Sequence, residues 1–313
     1  MRSRRTDRRN IKTMNKGPVC LICNSEDVSA FPAGMTDFMT ERIDFQREEH
    51  KISMIHCNNC GFSWFDYRLS DEEAEKCYSG YRNDLYQKQR QKHEKWYTEK
   101  INDQIGKNKT EIKNRKKNLG SIINEACIDL SGIRSALDYG GDTGVYFPDI
   151  FENIPKTVFE VSGVKPVENV RLVDDVEELK KEKFDFVMCC HVLEHVNSPA
   201  EMMETIRSLI SPEGYCYIEL PFDSPFYTSP FSKLQFLFNR YFITNPAALF
   251  QQFKDSFKRS DGYQMSEHIN YFTPEAVQLL MSRSGLDILS VRTRNINFGW
   301  CVSRVISVLA KAK

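Results

Sequence analysis

Long hydrophobic runs are missing from this sequence of 313 residues. The densest, VMCCHVL around Cys189, falls well short of the ~18 apolar residues of a membrane-crossing helix, so no membrane span is expected. Charge of one sign is missing too: 43 Lys+Arg balance 43 Asp+Glu, for a net charge of zero. That excludes a nucleic-acid binder working through bulk electrostatics and argues against a nucleic-acid partner, local patches aside. No apolar block follows the basic N-terminus, so there is no sign of a signal peptide and a cytoplasmic protein is expected. No internal repeat is visible. With 41% hydrophobic and 27% charged residues, general disorder is excluded as well.

What is present divides along the chain into segments of different texture. Residues 1–16 carry Arg2, Arg4, Arg5, Arg8, Arg9, Lys12 and Lys16 against one acid, Asp7, and read as a disordered basic arm. Residues 17–67 are rich in turn formers and hold Cys20-x-x-Cys23 and Cys57-x-x-Cys60, the second pair followed by Gly61. In a reducing compartment such pairs are metal ligands or buried thiols rather than disulfides. Four thiolates favour tetrahedral Zn2+, and a site with four protein ligands has no open position, so a structural zinc-binding module is expected. Residues 68–118 read as a helical connector, broken near Gly106, with apolar residues such as Trp96, Ile101 and Ile105 mostly three or four apart.

From residue 119 to 313, short apolar segments alternate with helical ones, the pattern of a parallel α/β sheet. The strand candidates are 135–140, 157–161, 169–173, 184–190 and 214–221, with further strands near 287–293 and 301–309. Helices are expected over 200–210, and over 274–285 with Thr273 as N-cap, Pro274 at the first helical position and Gly285 as the stop. An insertion over 222–264 carries Phe222, Phe226, Tyr227, Phe231, Phe236, Phe238, Tyr241, Phe242, Phe250, Phe253, Phe257 and Tyr263, a candidate substrate lid.

The segment Leu137-Asp138-Tyr139-Gly140-Gly141-Asp142-Thr143-Gly144 puts a carboxylate and three glycines where a strand should give way to a helix. Glycine serves where backbone approaches a ligand closely or takes positive φ. Glu160 ends the next strand, about 20 residues on, where a carboxylate can accept hydrogen bonds from ribose hydroxyls. The spacing G-G-D-T-G does not fit G-x-G-x-x-G, which argues against a dinucleotide-binding dehydrogenase.

With FDFVMCCHVLEHVNSPAEMMETI, the S-P-E-G turn before IELP, and EHINYFTPEAVQLLMSRSGL, the chain resembles the class I S-adenosylmethionine-dependent methyltransferases over roughly residues 120–313. The resemblance implies a doubly wound, mostly parallel, seven-stranded Rossmann-like sheet behind a small N-terminal zinc-binding module. It also implies that Asp138, Gly140, Gly141 and Gly144 surround the methionine part of the cofactor, Glu160 the ribose, and Asp174 or Asp175 the adenine edge. Cys190 and His191 would lie near the sulfonium. Asp142 stands where the family often has glycine, and aspartate tolerates left-handed backbone well enough for the loop to survive.

The cysteine pairs, then Tyr78, Tyr81 and Tyr86, and finally Glu267-His268-Ile269-Asn270-Tyr271-Phe272, resemble methyltransferases of deoxysugar and surface-polysaccharide pathways. That implies a sugar or sugar-nucleotide substrate. Members that methylate a sugar carbon carry a long extra C-terminal domain that this sequence lacks, which favours oxygen as acceptor. Methyl transfer is an in-line displacement that also needs a proton removed, and histidine suits this near neutral pH. His268 is the first candidate base because it precedes the aromatic pair, with His195 and His191 next and Tyr81 or Tyr86 assisting. A related group of methyltransferases binds a divalent ion through E-x-x-E-H; here histidine replaces the first carboxylate in His191-Val192-Leu193-Glu194-His195, which argues against a catalytic metal. The competing functions are an rRNA methyltransferase with a zinc module, and a non-catalytic zinc-stabilised binding protein on the same fold.

Overall fold

The computed structural model describes residues 17–46, 50–223, 237–239, 242, 245–250 and 263–313. The arm at 1–16 and most of the aromatic insertion, including Phe226, Tyr227, Phe231, Phe236, Tyr241, Phe253 and Phe257, lie outside the described residues.

The cysteine-bearing segment forms β1 (Val28–Met35), α1 (Asp37–Ile43), β2 (Ile52–Cys57) and β3 (Ser63–Phe65). The connector is helical: α2 (Asp71–Tyr78), α3 (Asp84–His93), α4 (Glu99–Gln104) and α5 (Lys109–Glu125). Ser70 and Glu73 close a reciprocal capping box at the start of α2, and Asn83 caps α3. Gly106, at φ +76°, breaks the run between α4 and α5 as its sequence position suggests.

The alternating region gives β4 (Ala136–Tyr139), β5 (Lys156–Phe159), β6 (Val170–Val173), α6 (Val176–Leu179), β7 (Phe184–Cys190), α7 (Pro199–Leu209) and β8 (Ile210–Pro221). Then come β9 (Tyr263–Met265), β10 (Asn270–Tyr271), α8 (Pro274–Arg283), β11 (Leu286–Asn297) and β12 (Val302–Ala312). Thr273 caps α8 through the N–H of Ala276, with Pro274 in the first turn. One expected helix is absent: between Gly144 and β5 the chain makes only a 3-10 turn, Asp149–Phe151. Pro148 opens that turn, and a proline keeps the residue before it out of helical backbone.

The seven-stranded sheet has the order β11-β12-β8-β7-β4-β5-β6. β8, β7, β4, β5 and β6 run parallel, and β12 inserts antiparallel between β8 and β11. This is the doubly wound, mostly parallel α/β sheet that the family resemblance implies, on the strand–helix alternation that the sequence pattern predicts. Strand order reverses between β4 and β7, so the carboxyl ends of these strands open the crevice where such sheets bind ligands. All four residues of β4 are buried, as a central parallel strand covered on both faces requires.

A second sheet, of order β10-β3-β2-β1-β9, combines the N-terminal strands with two from the far end of the sequence. β9 adds parallel to β1, and β10 adds antiparallel to β3. Cys20, Ile22, Phe62 and Trp64 share one buried cluster with Leu137, Val187 and Val277 of the main sheet and α8. The cysteine-bearing segment is thereby packed directly against the element that leads out of the Glu267–Phe272 motif.

Candidate active site and cysteine cluster

Asp138 sits near the carboxyl end of β4 at 1% exposure, and neither of its carboxylate oxygens has a hydrogen-bond partner among the described residues. Burial pushes its carboxyl up to about 7, with the Arg115 charge pulling the other way. An orphaned carboxylate of this kind calls for a cationic or hydrogen-donating ligand. The glycines around it leave the room. A Cβ on Gly141 would stand 2.4 Å from the Asp138 carboxyl carbon, and one on Gly140, at φ +73°, would stand 2.6 Å from Val192.

Asp142 takes the left-handed backbone, φ +53°, so the loop does survive the replacement of glycine. Its N–H donates to Glu160 at 3.1 Å, and the N–H of Ser162 donates to the other Glu160 oxygen at 2.9 Å, which fixes that carboxylate at the rim. The Asp142 carboxylate pairs with Arg82 at 3.2 Å, tying the glycine turn to the connector.

These groups line a cavity of about 1780 Å³. Asp138, Gly140, Gly141, Glu160, Cys190 and His191 line it at the carboxyl edge of the main sheet; Tyr78, Tyr81, His195, Glu267 and His268 line it from the end of α2 and the residues after it, the turn after β7 and the segment before β10. Gly144 is not among the lining residues and packs against Val170 instead. Asp175 is exposed and spends its carboxylate capping α6, accepting from the N–H of Glu177 at 2.8 Å; the structure does not bring it, or Asp174, to the cavity wall.

His191 adopts left-handed backbone, φ +59°, directly after β7. Its Nδ1 lies 3.4 Å from Glu194 Oε1 and its Nε2 lies 3.3 Å from Glu219 Oε1. Burial draws its pKa down, but the two carboxylates outweigh that and lift it to about 9. Both acids resist the upward push of burial and are held at about 2, Glu194 mainly by His191 and Glu219 by His191 and Arg115. At neutral pH His191 is thus a cation bridging two buried anions, which leaves it no lone pair for proton acceptance.

His195 and His268 meet edge to face with ring centroids 4.8 Å apart. Nδ1 of His195 hydrogen-bonds the Glu267 carbonyl oxygen at 2.9 Å. Burial, and then the neighbouring His195, hold His268 down at about 4, so it is neutral and has a lone pair to offer across the physiological range.

The tyrosines, which sequence alone leaves unranked, separate by environment. Tyr86 is fully buried; its hydroxyl donates to Glu267 at 2.5 Å and accepts from Arg90 at 2.7 Å. Arg90 also pairs directly with Glu267 at 2.8 Å. Tyr81 instead faces the cavity, with the Arg82 guanidinium 4.7 Å from its ring centre. Tyr78, edge-on to His195 at 6.1 Å, has a buried hydroxyl with no partner among the described residues.

The four cysteines converge. Sγ of Cys20 lies 3.6 Å from that of Cys60, Cys23 lies 3.4 Å from Cys57, and all four sulfurs fall within 4.8 Å of one another. A tetrahedron with metal–sulfur bonds of about 2.3 Å has edges of roughly 3.8 Å, so the donor set fits a four-thiolate ion. Hydrogen bonding from the Cys60 thiol draws the Cys20 thiol below its ordinary value, against the upward push of burial.

A model of a methyltransferase domain family matches residues 86–291, more than half of the chain and the whole glycine turn, β7 and the Glu267–Phe272 motif. The chain belongs to this methyltransferase family. It is therefore a methyltransferase enzyme, and S-adenosylmethionine is the cofactor that membership supports; the orphaned Asp138, the glycine clearance and the rim carboxylate of Glu160 fit a ligand with a cationic amino-acid end and a ribose. Solved structures with similarity to the chain include an O-methyltransferase family protein from Burkholderia thailandensis, with 12% identity, 64% of this chain covered and a TM-score of 0.39. The chain spans 57% of the length of that protein. Others are a SAM-dependent methyltransferase from Thermotoga maritima, with 16% identity, 64% and 91% of the two chains covered and a TM-score of 0.39, and a magnesium protoporphyrin IX methyltransferase from Synechocystis with bound SAH, with 15% identity, 64% and 84% covered and a TM-score of 0.38. Among curated proteins none matches.

Sequence reasoning missed Arg82, Arg115 and Glu219. Arg115 reaches Glu219 at 3.1 Å across 104 positions, and Asn118 donates to Glu219, Tyr217 and Ser307. The one local hint was Glu219 itself, an acid inside the otherwise uncharged run from Tyr215 to Pro221.

Proposed function

We propose that the protein transfers a methyl group from S-adenosylmethionine to a hydroxyl of a nucleotide-linked sugar, and that a structural Zn2+ is held by Cys20, Cys23, Cys57 and Cys60. The observation that supports the acceptor reading is the lining of the cavity: the Glu267-His268 pair, the Tyr78 and Tyr81 rings and His195 share it with Asp138, Gly140, Gly141 and Glu160. Aromatic faces and a hydroxyl near paired imidazoles suit a sugar ring, and a cavity of about 1780 Å³ exceeds the usual several hundred Å³ for one small ligand. Cofactor and acceptor fit side by side. The hydroxyl proton leaves at the His195–His268 pair, His268 foremost. The Asp138 carboxylate holds the cofactor's ammonium end, Glu160 its ribose, and Tyr81 orients the sugar.

Nucleotide-linked sugars incubated with the protein and S-adenosylmethionine should yield S-adenosylhomocysteine and a sugar heavier by one methylene, with the new methyl on oxygen by NMR. Turnover on ribosomal RNA fragments with none on any sugar nucleotide would replace this reading by the rRNA one.

A further inference from the structure

Glu194, His195 and His268 each offer a ligating atom at the cavity wall, all within 4.8 Å of one another. They come from two distant places in the chain, the turn after β7 and the residues before β10. Backbone bonds hold these together: the N–H groups of Ile269 and Asn270 donate to the Glu194 carbonyl at 2.8 and 3.1 Å. The Asn270 side-chain amide donates to the carbonyls of Leu193 and Val196 at 2.9 and 2.7 Å. The fold itself builds the cluster.

The unmet polar groups of the cluster point to a cation. Glu194 is 1% exposed, and neither of its carboxylate oxygens receives a hydrogen bond from a described residue. His195 can bond the Glu267 carbonyl oxygen at 2.9 Å only as a donor, so a proton sits on Nδ1 and the neutral ring carries its lone pair on Nε2. That lone pair stands 4.0 Å from Glu194 Oε1. Two electron-rich atoms face each other, and even a proton on Nε2 could not bridge that distance. A cation could. An imidazole whose second nitrogen donates to a backbone carbonyl is also the usual outer-sphere arrangement of a metal-binding histidine. The same Glu194 oxygen lies 3.4 Å from His191 Nδ1, but His191 is shared with Glu219 and offsets only part of the negative charge, and Glu194 Oε2 has no partner among the described residues.

We propose that Glu194, His195 and His268 bind one divalent cation of Mn2+ type, with open positions facing the acceptor. Two imidazoles and a carboxylate suit such ions, and neighbouring ligands on metal bonds of about 2.1 Å stand roughly 3.0 Å apart, so the 4.0 Å between His195 Nε2 and Glu194 Oε1 would close by about 1 Å. The proposal rests on reading this wall as the acceptor side and names the cofactor of that site. Two neighbouring oxygens of the sugar nucleotide complete the coordination. With the cation bound, His195 and His268 give their lone pairs to the metal and promote ionisation of the hydroxyl instead of accepting its proton themselves. The coordinated hydroxyl loses its proton to water; its oxygen then forms the new C–O bond as the S–CH3 bond breaks, and the electron pair of that bond stays on sulfur as S-adenosylhomocysteine. His191, whose place in the sequence spoke against a metal, is not one of the three ligands; His268 comes from the far end of the chain in its stead.

Mn2+ titrated into the zinc-loaded full-length chain, with free Mn2+ read by EPR, should show one bound ion, since thiolate sites do not select Mn2+. Glu194→Gln and His268→Ala should each weaken binding at least about tenfold, on the scale at which ligand support tunes metal affinity. His93→Ala, outside the cavity lining and paired with Glu41, should leave it unchanged. S-adenosylmethionine affinity, measured on every variant, reports that the fold is intact. Wild type that binds neither Mn2+ nor Co2+ at this site, or Mn2+ binding that survives both substitutions, overturns the proposal. In that event cofactor binding and sugar turnover would leave the functional reading standing, whereas Mn2+ binding without sugar turnover would keep the cation site and remove the sugar as acceptor.

Discussion

The hydroxyl of Thr273 donates to the backbone carbonyl of Cys60 at 2.9 Å and accepts the N–H of Ala276 at 3.1 Å. One side chain thus caps α8 and pins the second cysteine knuckle. Gly61 is tight against it: a Cβ there would stand 2.8 Å from the Thr273 methyl. The guanidinium of Arg283, at the other end of α8, donates to the Ile22 carbonyl at 2.8 Å, so both knuckles grip the same helix.

Thr273→Val keeps the shape but removes a helix cap and a hydrogen bond, and should cost about 1–3 kcal/mol in urea denaturation. Removing the proposed zinc with a chelator, or replacing Cys20 and Cys57 together by serine, should lower stability more and broaden the transition, because the knuckles then lose the ion that shapes them. Elemental analysis should find one zinc per chain. A metal-free preparation as stable as the native one would remove the zinc assignment.

Asp138 sets a pH dependence. Its folded carboxyl titrates at about 7 against an ordinary 3.8, so the folded protein holds an extra proton between those values. In the absence of ligand, stability should therefore fall as pH rises from about 4 to 7 and level off above. Cofactor affinity should move the opposite way, strengthening as pH rises toward 7, since the carboxylate must ionise to pair with the cationic end of S-adenosylmethionine. Calorimetric titration across this range should show the trend in wild type and a flat, weaker profile in Asp138→Asn. Gly141→Ala, which drives a methyl into the same carboxylate, should lose affinity at every pH.

The Tyr86–Arg90–Glu267 network anchors the Glu267–His268 segment of the cavity wall. Arg90→Met leaves the buried Glu267 carboxylate without its cation and should cost about 3–5 kcal/mol. Tyr86→Phe removes one hydrogen bond to a charged group and should cost about 1.5–3 kcal/mol. Chemical denaturation of the two variants orders them; equal losses would show that the Arg90 charge contributes nothing of its own.

Much of the fold was legible because its signals are local. The apolar strands 184–190 and 214–221, the Thr273-Pro274 helix start and the glycine turn each show within a dozen residues. The helix expected after Gly144 failed on an equally local feature, Pro148, that the glycine pattern overshadowed. What sequence could not show depends on distant pairing. Nothing near Cys57 indicates that β10 will lie beside β3, and nothing in the connector indicates that Arg115 will meet Glu219. The choice between Tyr81 and Tyr86 likewise turns on burial, five residues apart on either side of a helix start.

Proton removal centres on His268. His268→Ala should lower the methyl-transfer rate about 10²- to 10⁴-fold, the range for a positioned group that handles a proton in the transition state. Affinity for S-adenosylmethionine should stay nearly unchanged, because the proposed reading gives His268 to the acceptor and Asp138 and Glu160 to the cofactor. His195→Ala should behave differently. That residue also bonds the Glu267 carbonyl oxygen and packs on Tyr78, so its loss should lower stability by about 0.5–1.5 kcal/mol as well as the rate. Single-turnover kinetics with saturating cofactor separate the two effects, since they read the chemical step without product release. Full turnover in His268→Ala with the natural acceptor would move proton removal to His195, because His191 is already held as a cation between Glu194 and Glu219.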